Sequence, residues 1–123
     1  MRTVFVLALV GLAACTSSNV ERVGREYPPR DADWPIAVYA SAQAPHEVVT
    51  LSYVEAGRPR GREIARIRVK ESMFTTNWDR SIREAQAQAR KLGGDAIYVG
   101  PGGRFGAATS ARSDLTVTVF RYD

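Results

Sequence analysis

Seven residues, Ile64 to Lys70 (IARIRVK), constrain the fold more than any other stretch. Ala65, Ile67 and Val69 alternate with Arg66, Arg68 and Lys70. Side chains on a strand point to opposite faces with a period of two, so this pattern specifies a strand that is apolar on one side and cationic on the other. On a helix the same residues would scatter charge around the whole circumference. The chain therefore needs a sheet with one dry face, and something must cover that face.

The cover is legible downstream. Trp78, Ile82, Ala85, Ala89 and Leu92 recur at helical spacing on one stripe. Thr76 with Asp79 three residues on has the form of a capping box, with Asp in place of the usual Glu. Arg90 and Lys91 suit the last turn, and Gly93 and Gly94 suit the helix end. The stripe is rich in alanine, which predicts a helix lying close against its sheet.

Four further strands are expected: Ile36 to Ser41, Glu47 to Glu55 with Val49, Leu51 and Tyr53 on one face, Ala96 to Gly100, and Leu115 to Tyr122. The resulting order is β-β-β-α-β-β. It predicts an α+β fold, a single small domain with a mainly antiparallel sheet and one helix packed on one face. A stretch such as IAVYAS, then EVVTLSYVEA, then a helix ending AQARKLGGDAIYVG, resembles small bacterial α+β domains over about residues 35–123. Among these are the domain of the outer-membrane lipoprotein sensor of the Rcs envelope-stress pathway and the YbjQ-like domains. The resemblance implies this architecture and an envelope-sensing role. Rcs sensors carry further, disulfide-paired cysteines, whereas this chain has one cysteine in all.

That cysteine, Cys15, closes the sequence Leu12-Ala13-Ala14-Cys15. Before it lie Arg2 and an apolar run from Val4 to Leu12, far short of the ~20 residues a spanning helix needs. These are the parts of a secretory signal. The motif resembles the lipobox of bacterial lipoproteins, which implies a diacylglyceryl group and an N-acyl chain on Cys15 and no other cofactor. An ordinary signal with a coincidental cysteine is the competing reading. The expected division is a signal peptide at 1–14, a lipidated flexible tether at 15–34 and the α+β domain at 35–123. Thr16 follows the cysteine, and no Asp stands there to signal retention in the inner membrane. The expected location is therefore the periplasm-facing surface of the outer membrane. The tether mixes charges with Pro28-Pro29, and its nineteen residues from Thr16 to Trp34 could reach on the order of 60 Å.

The chain carries seventeen basic and thirteen acidic residues, a charge of +4, which falls to +3 when Arg2 leaves with the signal. The cations concentrate at Arg58, Arg60, Arg62, Arg66, Arg68 and Lys70, a candidate face for an anionic partner. An envelope protein, lipopolysaccharide or peptidoglycan would suit it; nucleic acid would not suit an exported protein. Such a row also serves as a solvated outer face that resists edge pairing. The loop Gly100 to Gly106 reads as a hairpin connection with Arg104 and Phe105 as contact residues at its tip. No metal site is expected, because His46 is the sole histidine and a site needs convergent ligands. No serine sits in a G-x-S-x-G frame, and no catalytic constellation stands out. The sequence thus points to a binding or sensing module anchored to a membrane. A small envelope enzyme with an unrecognised site and a structural spacer are the other two classes.

Overall fold

The computed structural model describes residues 17–70, 78–101, 104–105 and 114–122. Cys15 and Thr76 lie outside them. Seven strands and two helices follow in the order β1 (Ser17–Arg22), β2 (Ala37–Ala40), α1 (His46–Val49), β3 (Val54–Ala56), β4 (Arg62–Lys70), α2 (Trp78–Lys91), β5 (Ala96–Val99), β6 (Arg104–Phe105) and β7 (Asp114–Arg121). The sheet runs β1-β4-β7-β5-β2-β3, with β6 paired to β7 beyond the end of β5. Pairings of β4 with β1 and β7, and of β7 with β5 and β6, are antiparallel; β2 is parallel to β3 and β5. The fold is α+β, as the alternation and the helical stripe imply.

Period-two alternation sorts the sheet as expected. Ala65, Ile67 and Val69 face Val119, Val117 and Leu115 in register, and all six are buried. Ile97 and Val99 on β5 and Val38 and Ala40 on β2 extend this layer. Helix α2 lays Ile82, Ala85 and Ala89 on it, all fully buried, with Leu92 just beyond the helix end. A register shift between Glu63 and Ala65 turns Ile64 inward as well.

Three expectations are corrected. The segment 15–34 is not a free tether over its described part: Ser17–Arg22 forms β1, zipped to Lys70–Ala65 of β4. The expected strand over Glu47 to Glu55 is instead the helical turn α1 followed by the short strand β3. Parallel neighbours cannot be joined by a tight hairpin and need a crossover; α1 supplies it between β2 and β3. Pro45 opens the turn at φ −54°, and the Thr50 hydroxyl closes it by donating to the carbonyls of His46 and Glu47 at 3.1 and 3.3 Å. Third, Arg104 and Phe105 belong to β6, paired with Leu115 and Asp114, and not to a loop tip.

Asp95 ties the ends of these elements together. It is 6% exposed, directly after Gly93-Gly94. Its carboxylate accepts from Arg30 Nη2 at 3.0 Å, Trp34 Nε1 at 2.9 Å and the Tyr122 backbone N–H at 2.9 Å. Its own N–H donates to the Phe120 carbonyl and its carbonyl accepts from Ala37 N–H. The approach requires glycine: Gly93 has φ +87°, and a Cβ on Gly94 would lie 2.4 Å from Val119 Cγ1. Removing one partner from a buried ion pair typically costs about 3–5 kcal/mol, because the remaining charge stays uncompensated. Asp95→Ala should lose stability on that scale in urea unfolding followed by circular dichroism. A loss below about 1 kcal/mol, the range of exposed pairs, would place the carboxylate outside the folding core.

Candidate functional site

The sheet face opposite α2 carries the arginines, and the structure divides them into two groups. Arg66 and Arg68 project outward from β4, exposed beside the buried Ile67. With Asn19, Glu21 and Thr116 they line a shallow depression of about 360 Å³ over β1, β4 and β7. Arg66 Nε lies 2.9 Å from Glu63, and its Nη1 lies 3.8 Å from the largely exposed Glu21. Thr116 Oγ1 is buried there with no hydrogen-bond partner among the described residues. The depression is therefore basic but not uniformly so. At its end, Lys70 pairs through its backbone with Ser17 and Asp114.

Arg58 and Arg60 form the second group. They sit on the connection from β3 to β4, which crosses the face as a strap. Gly57 N–H donates to the Ala40 carbonyl at one end. At the other, Gly61 takes φ +99° where a Cβ would lie 2.2 Å from the Arg121 carbonyl oxygen. Arg58 lies over the rings of Tyr98 (5.3 Å) and Phe120 (5.1 Å), which meet edge to face. Burial raises the Tyr122 phenol above its ordinary pKa, its hydrogen bond with Tyr39 adds to this, and the nearby Arg60 opposes it. Arg62 stands at the far end of β4 opposite Arg121. The six cations of the sequence thus do not form one row. The aromatic bed beneath Arg58 is the part that sequence reasoning missed; Tyr98 and Phe120 alternate with Ile97 and Val119, and that alternation was its signal.

A cleft of about 330 Å³ lies on the other side, between β2 and α2, lined by Tyr53, Asp79, Arg83 and Gln86. Its polar groups hold one another. The Tyr53 hydroxyl donates to Asp79, Asp79 pairs with Arg83 at 2.8 Å, and Gln86 Nε2 donates to the Ile36 carbonyl at 2.9 Å. They brace the approach to β3 against α2. His46 is exposed at the start of α1, and no group of three or more His, Cys, Asp or Glu converges among the described residues.

The Tyr53 brace has a pH signature. Burial, and then the hydrogen bond to Asp79, push the Tyr53 phenol up to about 12 from an ordinary 10. Below pH 10 the phenol is protonated in folded and unfolded chains alike, so its contribution is fully present. Between about pH 10 and 12 the unfolded chain ionises first, and stability falls as pH rises. In ultraviolet titration Tyr53→Phe should lose a late phenol near pH 12, while the raised Tyr122 phenol remains. A titration in which that variant loses an ordinary phenol near pH 10 would contradict the brace.

No family model and no curated protein matches the chain. Among solved structures, the crystal structure of a Francisella virulence factor, FvfA, superposes with a TM-score of 0.50 at 17% identity, covering 86% of this chain and 98% of that one. The likeness concerns the fold.

Proposed function

We propose that this chain is a lipid-anchored interaction module of the bacterial cell envelope, held through Cys15 in the outer membrane and facing the periplasm. The Leu12-Ala13-Ala14-Cys15 motif supports the anchor, and Thr16 after the cysteine supports the outer membrane. None of the described helices is long and apolar enough to cross a membrane, and an acylated cysteine needs none. Several acyl chains hold stably where a single one does not.

The observation that carries the reading is the sheet itself. One face is filled by α2, and the other presents Arg66 and Arg68 around a depression lined also by Asn19, Glu21 and Thr116 and by the apolar Val20 and Ile67. The neighbouring Glu21, 72% exposed, argues against a uniformly anionic polymer, which it would repel. A folded envelope protein with an acidic patch and some basic groups of its own fits better, since complementary potentials favour both encounter and register.

Metabolic labelling with a clickable fatty acid should mark the protein and fail to mark Cys15→Ala. For the face, native-envelope crosslinking with mass spectrometry should recover a partner. The double variant Arg66→Gln, Arg68→Gln should lose it at nearly unchanged melting temperature, because exposed pairs contribute only about 0–1 kcal/mol. Undiminished crosslinks in that variant would leave the arginines as a solubilising surface.

A further inference from the structure

We infer that the folded domain rests directly on the bilayer that holds its anchor, with the Ser17 end of the sheet against the lipid headgroups. The inference builds on the lipid-anchor reading and adds where the domain stands. A free segment from Thr16 to Trp34 could hold the domain tens of ångströms away. The segment is not free. Only Thr16 separates Cys15 from Ser17, the first residue of β1. Two residue steps span at most ~7 Å even when fully extended.

Beyond Ser17 the chain cannot pay out without unzipping. Six consecutive residues of β1 pair with β4, from Ser17 opposite Lys70 to Arg22 opposite Ala65. Val23 N–H then donates to the Ile64 carbonyl at 2.8 Å. Tyr27 is stacked by Arg25 and Arg121 at 4.9 and 4.6 Å, and Arg30 and Trp34 are bound to Asp95. The segment is fastened along its length.

The register names the end that meets the membrane. Ser17 pairs with Lys70, Lys70 with Asp114 and Asp114 with Phe105. Two residues further in, Asn19 faces Arg68, so that the basic face begins close to the headgroup phosphates. The Asp95 end lies at the opposite end of the strands, about 30 Å away for the nine residues of β4. A partner of the uncovered face would therefore be met within roughly that height of the membrane surface.

Neutron reflectometry of a supported bilayer measures this height. The chain from Cys15 onward contains every described residue and can be coupled through its single thiol to a maleimide lipid, so the geometry is tested whether or not cells acylate it. The companion variant carries a twenty-residue Gly/Ser insert between Thr16 and Ser17, outside the folded part. A flexible insert of that length has a root-mean-square span of about 25 Å. The expected result is a hydrated gap below about 10 Å between headgroups and protein for the native chain, opening to about 25 Å with the insert. A native gap of about 20 Å or more, or equal gaps for the two chains, would overturn the inference. A native chain that takes up no fatty-acid label in cells would instead remove the anchor reading and leave this geometry standing.

Discussion

The rest of the structure depends on the carboxylate of Asp95. It is buried at the point where α2 has ended and β5 begins, and charges are costly there unless paired and hydrogen-bonded. Three donors from two distant parts of the chain meet it: Arg30 and Trp34 of the entering segment and the backbone N–H of Tyr122 just after the last strand. Arg30 also stacks on Trp34 at 4.5 Å. Around them, Arg30 N–H donates to the Arg90 carbonyl, Arg90 Nε to the Trp34 carbonyl and Arg121 Nη1 to the Gly93 carbonyl. Of the last carbonyls of α2, those of Gln88 and Ala89 accept from the N–H groups of Leu92 and Gly94, and that of Arg90 accepts from Gly93 and from Arg30 of the entering chain, while the leaving strand reaches the Gly93 carbonyl just beyond the helix.

The consequence for function runs through that entering chain. The polar, proline-bearing segment that follows Cys15 has the composition of a spacer, yet here both its described ends are secured. One end adds an edge strand to β4, and the other is held at Asp95. Sheet edge and basic face thereby become one rigid arrangement: Asn19 and Glu21, which line the depression, belong to the strand that begins two residues after Cys15, the proposed anchor. The uncovered face inherits its position from the same pairing.

Much of this was legible in the sequence where burial writes a pattern. The alternation of Ala65, Ile67 and Val69 with arginines fixed which side of β4 is dry, and the stripe from Trp78 to Leu92 fixed what covers it. Strand β1 wrote no such pattern. Its sequence SSNVER holds one aliphatic residue, Val20, which is 41% exposed, so the strand is held by backbone pairing and not by an apolar face. The turn at α1 was hidden because Val49, Leu51 and Tyr53 alternate with Thr50 and Ser52 as a strand would, while the parallel placement of β3 is a property of the whole sheet. Arg30 and Asp95 stand sixty-five residues apart, and no local signal joins them. At the candidate site, the outward direction of Arg66 and Arg68 was readable. The seating of Arg58 on Tyr98 and Phe120 was not, since it needs the crossing of the strap.

The central claim is that the segment between Cys15, the proposed anchor, and the domain is folded onto the domain. Native-state amide hydrogen exchange, resolved by NMR on the chain from Cys15 onward, tests it most directly. Local opening leaves amides exchanging near free-peptide rates, while pairing within a cooperative unit slows them by the opening free energy. The N–H groups of Val23 and Arg30, bonded to Ile64 and Arg90, should be protected by at least about a hundredfold, together with the β1 amides that face β4. Exchange of Val23, Arg30 and all of β1 at free-peptide rates, with β4 and β7 still protected, would mean that the segment is a spacer after all.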